Sequence, residues 1–424
     1  MIINNYNISE NAIKIFRGFS LFLLAIIPFF ASCAQELNDN FLLVESVPKE
    51  TIFEESKIPR TYDVWMNMIT SAENYIDIEM FYFADNTKSS LVAVFDALKS
   101  AAHNGVKIRI IVDSSFDAKS EHSTDEFNGI ENITIRKIPY ANLGGGIMHA
   151  KYFIVDGKEL FMGSQNMDWR ALEHIHEVGV KVISKTFVAV FQKIFDLDWD
   201  FCVSKDKSIL KSLNKSKKKI INSNNHINIS SDYYGKVNIY PAFSPYDYTP
   251  AQFSKEEKEI VKLINNTKNR LYIQIYSFSD KIRGEKEKFD SFVNAIKKAA
   301  GRGVDVKIIM PDWATGKSSI NFIKDLSQIN NVQIKISSIP EFSGGFIPYA
   351  RVEHCKYFIS DNNISFISTS NWEYDYFYNS RNASIIIKNK TANSDIGEVF
   401  LRDWNGPYTE FIDINKDYKP PKRN

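Results

Sequence analysis

Cysteine is scarce in this sequence, which has only three, Cys33, Cys202 and Cys355, in 424 residues. So few thiols cannot build a disulfide framework, and none has the spacing of a zinc cluster. Neither sign of charge is in excess, because 52 lysines and arginines oppose 51 acidic residues and leave a net charge of +1. The composition therefore excludes a disulfide-stapled scaffold and a globally basic binder of nucleic acid or membranes. Any affinity for phosphate must come from a local site.

A long apolar run is missing as well. The run FSLFLLAIIPFF at residues 19–30 has about a dozen residues, whereas a helix needs roughly 20 to span a bilayer. Basic residues precede this run and two small residues follow it, which is the pattern of a secretory signal. Cys33 comes next, in a setting similar to a bacterial lipobox. We therefore expect residues 1–33 to be a signal peptide and Cys33 to be lipidated, with a plain cleaved signal or an uncleaved anchor as the alternatives.

This N-terminus predicts an exported protein. A membrane-anchored lipoprotein, or a periplasmic or secreted protein, is the first expectation, and a type II membrane protein is the alternative. In either membrane-bound form, the N-terminus would provide the attachment to the membrane. The sequence leaves the oligomeric state open.

What the chain does contain is a repeat. Residues 91–113 and 292–312 each show an amphipathic helix, a glycine that ends it and a β-branched strand that ends at an acidic residue. The elements around each segment also match, and they are helices around 60–73 and 255–268, strands at 75–83 and 271–278, and strands at 133–140 and 332–340. The sequence therefore predicts two fused copies of a strand–helix–strand unit.

Each copy then reaches the same polar motif. The first motif is HAKYFIVDGKELFMGSQN at 149–166, and the second is HCKYFISDNNISFISTSN at 354–371. An imidazole and an ammonium group two residues apart on a strand point to the same face. The shared polar residues are His149, Lys151, Asp156, Ser164 and Asn166 in the first copy, and His354, Lys356, Asp361, Thr369 and Asn371 in the second. The second copy departs from the first at Ser368, where the first has Gly163.

This doubled motif resembles the HKD signature of the phospholipase D superfamily. Further stretches, among them GSQNMDWRALEHIHEVGV and IPYARVEHCKYFIS, are similar to the animal phospholipases D three and four and to the poxvirus envelope phospholipases, from about Glu45 to Tyr408. The resemblance implies an α/β fold, a duplicated α/β/α sandwich whose halves share one active site about a pseudo-twofold axis. The expected divisions are a first half at 45–203, a linker at 204–235, a second half at 236–415 and a tail at 416–424.

The residue types in the motif suit phosphodiester chemistry. Two lysines, two asparagines and the Ser164 and Thr369 hydroxyls can neutralise and hold one phosphate without a metal or another cofactor. One neutral imidazole can then attack phosphorus to form a phosphohistidine, while the other, protonated, donates to the leaving alcohol and later activates water. We expect Asp156 and Asp361 to support the strand and turn behind the site rather than to carry protons.

Glu177 is a further candidate catalytic residue, because in this superfamily an acidic residue after one motif orients the histidine of the other. Glu177 lies 28 residues after His149, and the same offset after His354 leads to Asn382. If Glu177 reaches across, His354 is the better nucleophile. The superfamily more often uses the first histidine, so both assignments stay open. The neighbouring His174 and His176 are expected at the surface.

The sequence constrains the identity of the substrate less than it constrains the type of reaction. The first expectation is the head-group phosphodiester of phospholipids, cleaved or transferred as by a phospholipase D. The alternative is single-stranded DNA or RNA, degraded from its 5′ end as by an exonuclease. A third alternative is an inactive envelope or scaffold protein, which the survival of both His-Lys pairs and both motif asparagines disfavours.

Overall fold

The structure of the chain is a computed structural model that describes residues 36–117, 124–204, 206–215, 219–316 and 319–424. The apolar run at 19–30 and Cys33 lie outside the described residues, as does part of the lysine-rich stretch between the halves. Within the described ranges, no helix is both long enough and apolar enough to pass through a membrane.

The first half forms a mixed sheet. Its strands are β1 (Phe41–Ser46), β2 (Tyr75–Met80), β3 (Phe83–Ala84), β4 (Lys107–Asp113), β5 (Ile133–Ile138), β6 (Lys151–Val155), β7 (Glu159–Gly163), β8 (Met167–Asp168) and β9 (Ile175–Ile183). The strand order is β1-β9-β7-β6-β2-β4-β5, and the short β3 and β8 pair separately. Only the pairs β2–β4 and β4–β5 are parallel along this order.

The second half repeats this sheet strand for strand. Its strands are β10 (Ile227–Ser231), β11 (Gly235–Ser244), β12 (Arg270–Ile275), β13 (Asp305–Pro311), β14 (Val332–Ser337), β15 (Val352–Glu353), β16 (Lys356–Ser360), β17 (Ile364–Ser368), β18 (Asn382–Lys388) and β19 (Thr409–Phe411). The order β11-β18-β17-β16-β12-β13-β14 has the same topology as the first sheet, with β10 and β19 added at its edges. The duplication inferred from the sequence is therefore confirmed in the fold.

Helices cover the sheets. In the first half they are α1 (Thr61–Thr70), α2 (Leu91–His103), α3 (Ser114–Asp117), α4 (Tyr140–Leu143), α5 (Trp169–Glu173), α6 (Lys185–Phe201) and α7 (Ser208–Lys215). In the second half they are α8 (Glu256–Asn266), α9 (Ser291–Gly301), α10 (Ile320–Ser327), α11 (Tyr374–Tyr378) and α12 (Lys390–Asn405). Short 3-10 helices lie at Ile52–Glu55, Asp125–Phe127, Tyr246–Tyr248 and Asp312–Thr315. The stretch 204–235 thus contains α7 and β10 in addition to irregular chain.

Local sequence explains these boundaries. The helices α2 and α9 bury one apolar face, and each is followed by a glycine with positive φ, Gly105 at +93° and Gly303 at +89°. Glycine adopts that left-handed conformation without a Cβ clash, so it lets the chain leave the helix and enter the next strand. Every residue of β6, β7 and β16 is buried, as expected of strands covered on both faces.

The two halves meet along the strands that carry the motifs. Strands β7 and β9 of the first sheet pack against β16, β17 and β18 of the second. The short β15, directly before His354, pairs with β9 in the opposite half. In the corresponding position of the first half, Met148 forms a bridge with Arg381. Each motif therefore enters the shared interface attached to the other half of the chain.

Candidate active site

Both motif histidines are held by backbone hydrogen bonds from the opposite half. The amide of His149 donates to the carbonyl of Arg381 at 2.8 Å, and the amide of His354 donates to the carbonyl of His176 at 2.9 Å. Arg381 and His176 each come just before the residue that contacts the histidine side chain. The same two contacts, related by the duplication, therefore fix both imidazoles at the interface.

Glu177 reaches across the interface to the second motif. Its Oε1 lies 2.8 Å from Nδ1 of His354, which is the contact that the sequence predicted. The hydroxyl of Ser164 supports the start of this stretch, because it accepts from the amide of Val178 at 3.2 Å. An Nδ1–H that faces a carboxylate leaves Nε2 of His354 as the reactive nitrogen.

Asn382 occupies the matching position opposite the first motif. Its Oδ1 lies 3.0 Å from Nδ1 of His149 and also accepts from the hydroxyl of Thr369 at 3.0 Å. The Nδ2 group of Asn382 donates to the carbonyl of Tyr376 at 2.8 Å, so the orientation of the amide follows from the network. An amide oxygen can only accept, so the neutral form of His149 carries its hydrogen on Nδ1 and has its lone pair on Nε2.

The two motif lysines lie beside the histidines and are almost fully buried. Lys151 donates to the carbonyl of His149 at 2.8 Å, and Lys356 donates to the carbonyl of His354 at 2.6 Å. Each ammonium group also lies over an aromatic ring, with Lys151 5.0 Å from the centre of Phe81 and Lys356 5.1 Å from that of Tyr276. A buried ammonium group with such weak partners is ready to pair with an anion.

Burial and mutual repulsion shift the pKa values of the group. Burial, followed by the charges of the two lysines, lowers the pKa of both His149 and His354 well below the usual value. Burial lowers the pKa of Lys356 to about 7 and that of Lys151 in the same direction. Burial also raises the pKa of Glu177 to about 8, although both lysines oppose this rise. The free site therefore favours neutral imidazoles, and a bound phosphodiester anion would favour the charged form of the two lysines.

The motif asparagines are also buried at this interface, and each has an amide oxygen without a hydrogen-bond partner in the described part of the chain. The amide nitrogen of Asn166 makes one long contact of 3.4 Å with the hydroxyl of Tyr82. Asn371 is 3% exposed. Buried polar groups of a native protein are rarely left unpaired, so these two amides have capacity for a ligand.

The motif aspartates lie away from the imidazoles and fix the backbone behind them. Asp156 accepts from the amides of Glu73, Asn74 and Tyr75 at 2.7 to 2.9 Å, just where β2 begins. Asp361 accepts in the same way from the amides of residues 268–270, where β12 begins. Both aspartates have a positive φ, +51° and +52°. This placement agrees with the supporting role expected from the sequence.

Ser368, the departure from the motif, has a local explanation. Its hydroxyl and that of Ser370 both donate to the buried carboxyl group of Glu256, at the start of α8. In the first half, Gly163 leaves room for the longer Gln165, whose amide donates to Thr61 at 3.0 Å. The second motif therefore keeps its backbone path with a different set of buried polar side chains.

The expectation for His174 and His176 was wrong, because both are buried. His176 lies in an ion-pair network that joins the halves, with Nε2 2.7 Å from Glu45 and Nδ1 2.5 Å from Glu353. Burial opposes its charge, but the carboxyl groups of Glu353 and Asp403 raise the pKa of His176 well above the usual value. Acidic partners that lie so far apart in the sequence gave no local signal for this network.

Arg381 is the counterpart of His176 in the duplication. Its guanidinium group is fully buried and bonds Asp198 of the first half through Nε at 2.6 Å and Nη2 at 2.9 Å. The carbonyl groups of Ser244 and Tyr248 and the hydroxyl group of Thr249 accept its remaining hydrogens. A buried cation thus lies directly before each residue that contacts a motif histidine.

One group of described side chains has ligand atoms close enough to share a metal ion, namely His176, Glu353 and Cys355, within 4.8 Å of one another. Both ring nitrogens of His176 already contact carboxylates, and burial raises the pKa of the Cys355 thiol to about 12. A protonated thiol and an imidazolium do not bind a metal. These residues therefore fit an ion-pair network better than a metal site. Cys202 and Cys355 are both free thiols, as expected.

Comparison with known proteins agrees with this geometry. A family model described as cardiolipin synthase, PLD-like domain, matches residues 65–199 and again residues 260–404, one match in each half. The chain belongs to the phospholipase D superfamily. The two matches span most of the two duplicated sheets, and members of this superfamily are phosphodiesterases. The chain is therefore a phosphodiesterase of the phospholipase D superfamily.

Some of the similar proteins are named as phospholipases D, and others are named as an exonuclease or a nicking-joining enzyme. A Caenorhabditis elegans protein named as a probable phospholipase D is 29% identical over 87% of this chain and 70% of its own length. The 5'-3' exonuclease PLD3 of Xenopus laevis is 26% identical over 87% of this chain and 80% of its own length. The virion nicking-joining enzyme of vaccinia virus is 25% identical over 90% of this chain and 91% of its own length.

The duplicated phospholipase D fold is also found among solved structures. Phosphatidylserine synthase from Haemophilus influenzae matches with a TM-score of 0.60 over 83% of this chain and 85% of its own, at 10% identity. At this identity, the likeness concerns the fold alone.

Proposed function

We propose that this phosphodiesterase works without a metal, through a phosphohistidine intermediate. The observation that carries the proposal is the pair of buried imidazoles, each engaged at Nδ1 by a side chain of the opposite half, beside two buried lysines. The ammonium groups and the motif amides offer the phosphate the donors that a metal ion supplies in other phosphodiesterases. The arrangement also provides the two histidines in different surroundings that a two-step transfer requires.

In the first step of the proposed mechanism, His354 is the nucleophile. Its Nε2 lone pair forms a bond to phosphorus while the bond from phosphorus to the leaving oxygen breaks. His149, protonated on Nε2, gives that proton to the leaving oxygen, so an alcohol departs. The carboxylate of Glu177 beside Nδ1 of His354 stabilises the positive charge that develops on the phosphorylated ring.

In the second step, His149 is neutral and acts as a base. It takes a proton from water, the water oxygen bonds to phosphorus, and the nitrogen–phosphorus bond to His354 breaks. The two steps return both histidines to their starting states. His149 needs a proton at the outset although its pKa is low in the free site, and the bound phosphodiester anion would raise that pKa.

For the substrate we propose single-stranded nucleic acid as the first candidate. The names of the exonuclease relatives and of the vaccinia enzyme support this proposal. A row of aromatic rings that begins at His354 with Tyr276, Trp313 and Tyr349 supports it as well. The second candidate is the head-group phosphodiester of phospholipids, which the name of the Caenorhabditis elegans relative supports. An exported, membrane-attached protein, as the N-terminal sequence predicts, would meet phospholipid directly.

A paired turnover assay in EDTA tests this function. The full-length chain would be given a 5′-hydroxyl single-stranded oligonucleotide in one reaction and phosphatidylcholine vesicles in the other. His149→Ala and His354→Ala variants serve as controls. We expect stepwise release of nucleotides, lost in both variants. Release of choline would favour the phospholipid candidate, and activity that depends on added metal would contradict the proposed mechanism.

A further inference from the structure

A row of aromatic rings leads from the second motif histidine toward the surface. The ring of Tyr276 lies 4.8 Å from that of His354, between ring centres. Trp313 follows at 6.3 Å from Tyr276, and Tyr349 at 6.5 Å from Trp313. Trp313 is mostly buried, whereas Tyr349 is 48% exposed. The row therefore begins at the imidazole and ends at a ring that is open to solvent.

Two arginines flank this row. The guanidinium group of Arg423, in the C-terminal tail, lies 5.0 Å from the centre of the Trp313 ring and donates to the Trp313 carbonyl. The backbone carbonyl of Arg423 also accepts from the amide of Tyr349 at 2.8 Å. On the other side, Arg170 lies 5.9 Å from the Tyr349 ring and donates to the carbonyl of Pro348 at 3.1 Å. The tail is thus docked on the rim of the candidate active site.

The two arginines differ in how their charge is balanced. Arg170 forms an ion pair with the buried Asp168 at 2.8 Å. Arg423 is exposed and forms no direct ion pair among the described residues. Its guanidinium group contacts a ring and a backbone carbonyl, and its charge also acts on the nearby carboxyl group of Asp312. A cation of this kind at the edge of a phosphodiester site can pair with a second phosphate of the substrate.

The backbone at Tyr349 is held in a conformation that tyrosine rarely adopts. Tyr349 has a φ of +58°, and Arg351, two residues on, has a φ of +57°. Such conformations are unfavourable for residues with a side chain and persist only where surrounding contacts impose them. Here the contact to Arg423 holds Tyr349, and the amide of Arg351 donates to the carbonyl of His174 at 2.8 Å. Strain of this kind is concentrated at binding sites.

We propose that Tyr349, Trp313 and Arg423 form a binding site for the nucleotide next to the scissile phosphodiester of a single-stranded nucleic acid. A base would stack on the exposed face of Tyr349, and the neighbouring phosphate would pair with Arg423. The inference rests on the proposed function and specifies its substrate class. Rings that alternate with cations match the alternation of bases and phosphates along a strand, whereas a phospholipid offers a single phosphate and long apolar chains.

Binding measurements on the full-length chain with His149→Ala as background, so that the strand is not cleaved, test this site. The probe is a fluorescein-labelled oligothymidylate followed by anisotropy. We expect Tyr349→Ala to raise the Kd by about 5- to 100-fold, as loss of one stacked base does, and Tyr349→Phe to retain most of the affinity. Arg283→Ala, which removes an exposed positive charge in the segment after Tyr276, is the matched control for charge.

Salt dependence separates the two contacts. Arg423→Ala should reduce the slope of log Kd against log salt concentration by about 0.7, the value for one lost phosphate contact on a single strand. Tyr349→Ala should leave this slope unchanged, because stacking releases no counterions. Thermal unfolding of each variant shows whether the fold is intact.

The outcomes keep this inference distinct from the proposed function. If Tyr349→Ala and Arg423→Ala bind the oligonucleotide as tightly as the background protein does, the inference is wrong. If they instead lose binding to phosphatidylcholine vesicles and not to the oligonucleotide, the rim is a membrane contact, which also overturns it. The proposed function is tested separately with bis(p-nitrophenyl) phosphate, a substrate that has neither a base nor a second phosphate. No turnover by the unsubstituted chain would contradict the function itself.

Discussion

The two halves of this molecule place the same histidine in two different electrostatic settings. His354 faces the carboxyl group of Glu177, and His149 faces the neutral amide of Asn382, at nearly equal distances. The scaffold around the two contacts is the same, down to the motif hydroxyl beside each partner. A single difference in side-chain chemistry therefore distinguishes two positions that are otherwise equivalent. A symmetric pair could not divide the work of nucleophile and acid in this way.

The buried cations behind these partners differ as well. Arg381 remains charged at any pH that the fold survives, whereas the charge on His176 depends on the carboxylates around it. Each joins the halves through an aspartate at the same place in the duplication, Asp198 for Arg381 and Asp403 for His176. The second cation has extra acidic partners, which a weaker cation needs. The two buried ion pairs therefore lie at equivalent positions of the duplication but respond differently to pH.

Phosphoenzyme trapping tests the proposed division between the histidines, and here the largest effects are expected. With a p-nitrophenyl phosphodiester, the leaving group is too weak a base to need an acid. His149→Ala should therefore release one equivalent of p-nitrophenol in a burst and then stop, because no base activates water. His354→Ala should give no burst. Overall turnover should fall by at least about 10³-fold in both variants. Alkaline quenching and peptide mapping should locate the trapped phosphoryl group on His354. A phosphoryl group on His149 would reverse the assignment.

Exchange of the two partners addresses the comparison more directly. We expect Glu177→Gln to lower kcat by about 10²- to 10⁴-fold, because it removes the charge that stabilises the phosphorylated imidazole. Asn382→Asp should change kcat by less than about 10-fold, since it adds a carboxylate where the proposed acid works without one. Steady-state kinetics with the same small substrate give both numbers. Equal losses in the two variants would show that the halves are functionally equivalent.

The contribution of the buried ion pair between Arg381 and Asp198 to stability can be measured by replacing the arginine. Arg381→Leu should destabilise the fold by about 3–5 kcal/mol, because the buried carboxyl group of Asp198 loses its counterion. Arg381→Lys keeps the charge and should cost less, although it loses the paired contacts of the guanidinium group. Urea unfolding monitored by tryptophan fluorescence measures both. If Arg381→Leu lowers the free energy of unfolding by less than about 1 kcal/mol, water reaches Asp198 and the ion pair contributes little to stability.

The pH dependence of the free energy of unfolding should distinguish the ion pairs of His176 from the ion pair between Arg381 and Asp198. Folding raises the pKa of His176 above its unfolded value of about 6.5, so its contribution is complete below pH 6.5 and is lost as the pH rises through the folded pKa. The stability difference between the unsubstituted chain and His176→Gln should therefore shrink above pH 6.5, by up to about 1.4 kcal/mol per pH unit. The corresponding difference for Arg381→Lys should be constant over this range. A constant difference for His176→Gln from pH 6 to 9 would contradict a charged His176.

Particular residues show how far sequence reasoning extends. The contact between Glu177 and His354 was expected from the resemblance to the phospholipase D superfamily, in which an acidic residue after one motif orients the histidine of the other. The backbone role of Asp156 and Asp361 followed from their place at the end of a strand. The burial of His176 could not be predicted, because its acidic partners come from β1, β15 and α12, far away in the sequence. His174 packs against the rings of Trp169 and Phe342, and Phe342 is also far away in the sequence. Nor does any local pattern bring the C-terminal tail to the rim beside Trp313.

The sequence by itself determined the duplicated fold, the two motifs and the class of chemistry, since hydrophobic periodicity and the repeat of polar residues are local and are written twice. Only the tertiary structure decided which side chains meet across the interface. Burial at that interface sets the charge of His176 and the pKa of Lys356. The contacts of the C-terminal tail hold Trp313 and Tyr349 in the row of rings that begins at His354. These properties depend on distance in space and on the exclusion of water, and neither quantity is encoded in any single stretch of the chain.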